Sequence, residues 1–340
     1  MISYLMNLVG LQFITGKLKN MRLLKYLQIE TTTTCNQRCY FCPVSTGKRP
    51  KTTLSLEMLQ KILENLQPYS RQIEKIYTNG FNEPTFDKTL VEKMQILHSF
   101  HYKVQLNTNG SGLTPNLLHK LLNTGLKDFC INLSSTNQDY YQLTRKSQDL
   151  ENILTNLHYL LKIKEQSLVV QILMLGNLDI QHAENIENIM QKFSYSNAQF
   201  IVCPAVDFAG LPNYTKLQIK PYELLNGCFA KRDLEWLHFT PSGQAILCCQ
   251  DYQENYVVGN ILQESIQQLY SNKQFTQFRR WISGEEIAPK DFICRTCIFS
   301  ISPVQTYQEK IYQTFCEHCS LPKFLDKICA RCVVSPHSNH

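Results

Sequence analysis

Between Tyr26 and Pro204, short β-rich runs alternate with stretches of helical periodicity, a pattern that leaves few architectures open beyond βα units around a parallel sheet. The runs fall at residues 26–32, 73–77, 104–108, 128–133, 168–174 and 199–203. Between the first two, Leu59, Ile62, Leu63 and Leu66 recur at i, i+3, i+4 and i+7, the spacing of one buried helix face. Leu90, Val91, Met94 and Leu97 repeat the arrangement in the next unit. Six units predict an α/β fold with a partial (βα)6 TIM-like barrel, and right-handed crossovers gather the loops after the strands at one end. Chemistry is expected there.

After Pro204 the periodicity weakens, with turn residues Gly210, Pro212 and Asn213 followed by cysteines and aromatics. The expected organisation is a helical extension over 1–24, a barrel over 25–215, a small cysteine-rich unit over 216–303 and a metal-binding tail over 304–340. A length of 340 residues with 43% apolar residues supports a buried core, and the net charge of +6 is spread without Lys/Arg runs, so nothing points to nucleic acid. The apolar opening segment, residues 1–13, lacks a basic n-region and is too short to span a bilayer. It reads as a packing helix. Fourteen cysteines in short-spaced groups speak for metal sites rather than a disulfide framework, which implies a reducing, cytoplasmic setting.

The first group, Cys35, Cys39 and Cys42, follows directly on the first strand. Three thiolates on one tight loop can hold three irons of a cubane cluster and leave the fourth without a protein ligand, whereas a structural zinc asks for four ligands. The C-x3-C-x2-C spacing, with Phe41 before the last cysteine, resembles the radical S-adenosylmethionine (SAM) superfamily, in which the open iron of a 4Fe-4S cluster chelates SAM. The resemblance continues through Gly80, Phe81, Asn82, Glu83 and Pro84, where the family carries a Gly-rich segment ending Glu-Pro whose backbone meets the SAM amino group; here Asn82 takes the second glycine position. By the same resemblance, Asn109 and Ser134 are expected to contact the ribose or carboxylate of SAM, and Arg145 to pair with its carboxylate. Cys130 and Cys203, inside strands, read as buried core thiols.

Farther on, Cys228, Gly243, Cys248 and the pair Cys294 and Cys297 resemble the SPASM and Twitch extensions of radical SAM enzymes, which implies a four-thiolate shell for an auxiliary 4Fe-4S cluster. Residues 240–247 read as a hairpin that delivers Cys248 after its second strand, with Cys249 an alternative ligand. Pro303 stands where a longer SPASM pattern would place a further cysteine, so the one-cluster form is expected. In the tail, Cys316, Cys319, Cys329 and Cys332 form C-x2-C-x9-C-x2-C, a closed shell for zinc or for a further iron–sulfur cluster, with His318 a bystander.

The resemblance implies reductive SAM cleavage fed by a flavodoxin- or ferredoxin-type donor, then hydrogen abstraction from a substrate. One saturated auxiliary cluster suits oxidation of a small hydroxylated or amino-sugar-like metabolite. Maturation of a ribosomally made peptide or protein is the alternative, lessened by the roughly 25 residues before the first strand, too few for a leader-recognition domain. A non-catalytic iron–sulfur or zinc scaffold is the remaining reading.

Overall fold

The computed structural model describes residues 23–304 apart from 48, 164, 166, 207 and 210–220. The opening segment, the turn around Pro212 and the tail thiols Cys316, Cys319, Cys329 and Cys332 therefore lie outside the described residues.

All six expected strands form: β1 (Tyr26–Ile29), β2 (Lys75–Tyr77), β3 (Val104–Thr108), β4 (Asp128–Asn132), β5 (Val169–Gly176) and β6 (Gln199–Pro204). They are parallel and ordered sequentially from β6 to β1, as successive βα crossovers require. Between them lie α1 (Leu56–Leu66), α2 (Leu90–Ser99), α3 (Pro115–Asn123), α4 (Gln138–Arg145), α5 (Leu150–Lys162) and α6 (Ile180–Lys192). Helix α1 starts where the Ser55 side chain accepts from the Met58 amide, and it buries Leu59, Ile62, Leu63 and Leu66 against the sheet. Each such side chain contributes roughly 1.5–3 kcal/mol. The fourth unit holds two helices, α4 and α5, a doubling that the amphipathic pattern did not announce.

Beyond β6 come α7 (Arg232–Glu235), β7 (Trp236–Phe239), β8 (Gln244–Ile246), β9 (Val257–Asn260), α8 (Ile266–Ser271) and α9 (Lys273–Ser283). Strand β7 runs parallel to β1, with Leu27 opposite both Ile76 and Leu237. The later strands thus continue the barrel sheet, giving nine strands in the order β6-β5-β4-β3-β2-β1-β7-β8-β9. The expected hairpin is present as antiparallel β7 and β8. Its turn closes through Gly243, whose φ of 79° suits glycine.

Polar and aromatic side chains join Leu173, Leu175 and Val169 in lining the barrel interior. Lys75 bonds Asp128 at 2.6 Å, and Gln105 reaches both Asp128 at 2.8 Å and Gln171 at 3.0 Å. Nearer β7, Trp236 stacks with Tyr77 at 5.2 Å and with His238 at 5.7 Å. Two histidines are buried neutral: burial lowers His182 to about 4, and burial together with the Arg232 charge lowers His238 to about 3. Below the ordinary histidine pKa near 6.5 the unfolded chain takes up these two protons while the folded chain does not. The stability they allow is complete above that value and is lost as pH falls toward 4. Urea unfolding at pH 5.5 is expected to show about 2 kcal/mol less stability from this source than at pH 7. A pH-independent midpoint between those values would contradict the assignment.

Candidate functional site

Strand β1 ends in a run of threonines that ties the start of the cysteine loop down. The Thr33 amide donates to Thr52 O at 2.9 Å, and Thr32 bridges to Thr53. The middle of the loop is held by a helix end. Helix α4 stops at Arg145 because Lys146 adopts a left-handed φ of 52°, leaving its last carbonyls without helical partners. The amides of Tyr40 and Arg38 take them, donating to Thr144 O and Arg145 O at 2.9 Å each. Cys35, Cys39 and Cys42 are thereby presented at the strand C-terminal end, where the parallel topology predicts chemistry.

The Arg145 side chain is 1% exposed. It donates to Cys39 Sγ at 3.3 Å, to Asn132 Oδ1 at 2.7 Å and to Ser134 Oγ, and lies 4.7 Å from the Phe41 ring centroid. Burial opposes its charge, but Cys39 and Tyr141 outweigh that and raise its pKa. A permanent cation is therefore held against one of the three thiols. With no metal bound, burial pushes Cys35 up to about 11 and Cys42 higher still. The backbone amides of Gln37 and Val44 donate to these two sulfurs.

Glu83 is 1% exposed and its carboxylate is fully engaged. It accepts from the Asn109 amide at 2.6 Å, the Thr85 amide at 3.1 Å, the Thr85 hydroxyl at 2.7 Å and the Thr108 hydroxyl. Burial raises its pKa and these donors oppose the rise. Glu83 thus fastens the turn after β2 to the end of β3, and its own amide donates to Thr34 O at 2.9 Å, which ties that turn to the start of the cysteine loop. Asn109 donates to Asn36 Oδ1 at 2.9 Å and accepts from the Ser111 amide at 2.9 Å, which joins the β3 turn to the cysteine loop.

Above the three cysteines opens a cavity of about 260 Å³. Of the six residues expected at SAM, Gly80, Glu83, Asn109 and Arg145 line it; Ser134 stands behind Arg145, and Pro84, itself buried, begins a single turn, Pro84–Phe86. Cys130 is buried as expected, yet it lines this cavity rather than an apolar core, and Cys203 is only partly buried. Asn79, Asn82 and Asn107 also line it, and each has a buried side-chain oxygen with no hydrogen-bond partner among the described residues. Buried acceptors are rarely left unpaired. Three around one cavity fit a ligand bearing several N–H or O–H donors, as SAM does with its amino group, ribose and adenine.

Sequence reasoning missed the network that supports the Gly80 and Phe81 turn from behind. Glu30, at the end of β1, receives both guanidinium nitrogens of Arg49 at 3.0 and 2.9 Å and the Phe81 amide at 2.8 Å. Arg49 also pairs with Glu254. Phe81 packs edge-on against Tyr252 at 4.8 Å. A Cβ on Gly80 would come within 2.8 Å of the Glu30 side chain, so glycine is required for this approach. A carboxylate directly after a strand that buries Leu27 and Ile29 was the available signal.

Cys228, Cys248, Cys249 and Cys297 all act on the half-buried Arg232 guanidinium, and Cys297 and Cys228 act on Cys294. The Gln250 amide donates to Cys248 Sγ at 3.2 Å and the Phe299 amide to Cys297 Sγ at 3.4 Å, while Cys228 receives the amides of Arg232 and Ala230. Such N–H···S bonds from two residues onward, seen also at Cys35 and Cys42, orient a thiolate and tune a bound cluster. Cys249 lacks one from two residues onward; its pKa falls to about 6 because Cys248 donates to it. Among the described residues no three Cys, His, Asp or Glu side chains stand close enough to hold a single metal ion. The fit to clusters therefore rests on loop geometry, the Arg145 and Arg232 cations and N–H···S bonds. All ten described cysteines are free thiols.

The family model of the radical SAM superfamily matches residues 29–189, and that of SPASM, an iron–sulfur cluster-binding domain, matches residues 228–298. These domains imply 4Fe-4S clusters and SAM. Among curated proteins, GTP 3',8-cyclase of Helicobacter pylori is 26% identical over 190 residues, 55% of this chain and 56% of that one. Mycofactocin maturase MftC of Mycolicibacterium smegmatis is 30% identical over 117 residues, 34% of this chain and 29% of that one. The chain thus spans little more than half, or less than a third, of these relatives. Solved structures share the fold at low identity. BtrN in complex with AdoMet and 2-DOIA overlays with a TM-score of 0.54 at 16% identity, over 84% of this chain and 97% of that one. SuiB of Streptococcus suis bound to precursor peptide SuiA overlays with a TM-score of 0.63 at 12% identity, over 83% and 72%.

Proposed function

Because the chain belongs to the radical SAM superfamily and carries a SPASM extension, we propose that it cleaves SAM reductively and uses the resulting 5'-deoxyadenosyl radical to oxidise a small hydroxylated or amino-sugar-like metabolite. The observation that carries this reading is the cavity over Cys35, Cys39 and Cys42, with the Arg145 cation below it and three unpaired asparagine oxygens in its wall. A 4Fe-4S cluster with one open iron supplies, when bound, the electron that breaks the sulfonium bond of SAM.

The chain's own residues then have distinct tasks. Cys35, Cys39 and Cys42 hold the cluster, and Arg145 balances its negative charge. Asn79, Asn82 and Asn107 orient SAM, Gly80 lets the turn approach it, and Glu83 and Asn109 keep the surrounding loops in register. Phe41, Phe81 and Phe208 provide apolar walls that exclude water. Cys228, Cys248, Cys294 and Cys297 hold the auxiliary cluster, with Cys248 favoured over Cys249 by its N–H···S bond. Four thiolates leave no open iron, which suits an electron acceptor.

A second reading is peptide maturation. It draws on the names of MftC and of SuiB with its precursor peptide, which speak of those proteins. A flavodoxin or ferredoxin is the proposed electron donor, and the tail thiols Cys316, Cys319, Cys329 and Cys332 are proposed to hold one zinc. No helix among the described residues is long and apolar enough to cross a membrane. The proposal is tested by incubating anaerobically reconstituted protein with SAM, dithionite and aminocyclitols or short peptides. One SAM is expected per two-electron-oxidised product, and about eight irons and one zinc per chain. A product at the substrate's own oxidation level would replace oxidation with epimerisation or rearrangement; about twelve irons without zinc would make the tail a third cluster.

A further inference from the structure

Arg232 opens α7 directly after Lys231, whose left-handed φ of 49° turns the chain. Its guanidinium carbon lies 4.4 Å from the centroid of the Phe299 ring, two residues beyond Cys297. The same residue's amide donates to Cys297 Sγ, and the Arg232 amide donates to Cys228. Arg232 is thus built into the thiol group through its backbone on one side and through its stacking partner on the other. Its Nη1 is buried and has no hydrogen-bond partner among the described residues. A guanidinium stays charged at any ordinary pH, so this N–H belongs to a permanent cation.

A cation with a buried, unused N–H needs an acceptor, and a negative cluster held by these thiolates would supply one. We infer that Arg232 is the charge-compensating hydrogen-bond donor of the auxiliary cluster and raises its reduction potential. This rests on the proposed assignment of Cys228, Cys248, Cys294 and Cys297 to one cluster. A reduced cluster carries one more negative charge than the oxidised form, so a fixed cation beside it favours reduction. Arg232 is a positioning residue in this sense: it sets how readily the cluster takes an electron from the substrate side without touching the substrate.

The test uses the full chain with Cys35, Cys39 and Cys42 replaced by Ala, reconstituted anaerobically and titrated with dithionite under electron paramagnetic resonance. The auxiliary signal is identified as the one lost when Cys294→Ala and Cys297→Ala are added. Adding R232M is expected to lower the one-electron reduction equilibrium at least tenfold, about 59 mV in midpoint, at unchanged iron content. R232K, which keeps the charge, should stay within threefold of the parent. If R232M fails to retain iron, R232Q removes the charge while keeping a donor, and the same downward shift is expected. A midpoint within threefold of the parent in the iron-replete neutral variant, or equal shifts for Lys and for the neutral residue, would overturn the role of Arg232. Absence of any signal dependent on Cys294 and Cys297 in the parent would instead overturn the ligand assignment on which it rests.

Discussion

Replacing Cys35, Cys39 and Cys42 together by Ala should remove about four irons per chain and abolish 5'-deoxyadenosine formation, while the remaining metal stays bound. The expectation of a clean loss comes from the way the loop is held. Its backbone is fixed by the carbonyls of Thr144 and Arg145 and by the Thr33 and Thr52 bond, none of which involves a thiol. The variant should therefore keep its fold, visible as unchanged circular dichroism, and lose only the cluster. Undiminished 5'-deoxyadenosine from the triple variant would move the catalytic centre elsewhere.

Replacing Cys294 and Cys297 by Ala should have the opposite signature. SAM cleavage without productive turnover persists, because the first site is untouched, while oxidised product falls by two orders of magnitude or more, roughly 2.7 kcal/mol in barrier. The separation follows from the proposed division of labour, in which one site generates the radical and the other removes the second electron. Measuring 5'-deoxyadenosine and product in parallel distinguishes this from general unfolding, which would depress both. Product at the original rate would remove the auxiliary cluster from the mechanism.

How much of this was written locally in the chain follows from the range of the interactions. The six barrel strands were legible because each is a β-rich run flanked by helical periodicity, and the helix face of Leu59, Ile62, Leu63 and Leu66 is buried as the spacing predicts. The pairing of β7 with β1 was not, because two parallel strands some two hundred residues apart leave no mark on each other's sequence. The ion pairs of Arg49 with Glu30 and Glu254 escaped for the same reason, as did the position of Arg232 among the thiols. The three leading cysteines stood out because a strand-end loop with that spacing has few other uses. Of the surrounding asparagines Asn82 and Asn109 stood out through the resemblance, while Asn79 and Asn107 did not, since Asn in a turn is ordinary chemistry. At Cys248 and Cys249 spacing could not separate neighbours; in the structure the Gln250 amide donates to Cys248 Sγ while Cys249 accepts from the Cys248 thiol.

The central claim is that the cavity over Cys35, Cys39 and Cys42 is a place where SAM is cleaved, and the direct measurement is made on the anaerobically reconstituted wild-type chain, reduced with dithionite and given SAM alone. Methionine and 5'-deoxyadenosine should appear in equal amounts, and more slowly when Arg145 is replaced by Met, because the cation against Cys39 is lost. Iron-replete, reduced protein that returns SAM intact would contradict the account and leave the chain an iron–sulfur scaffold.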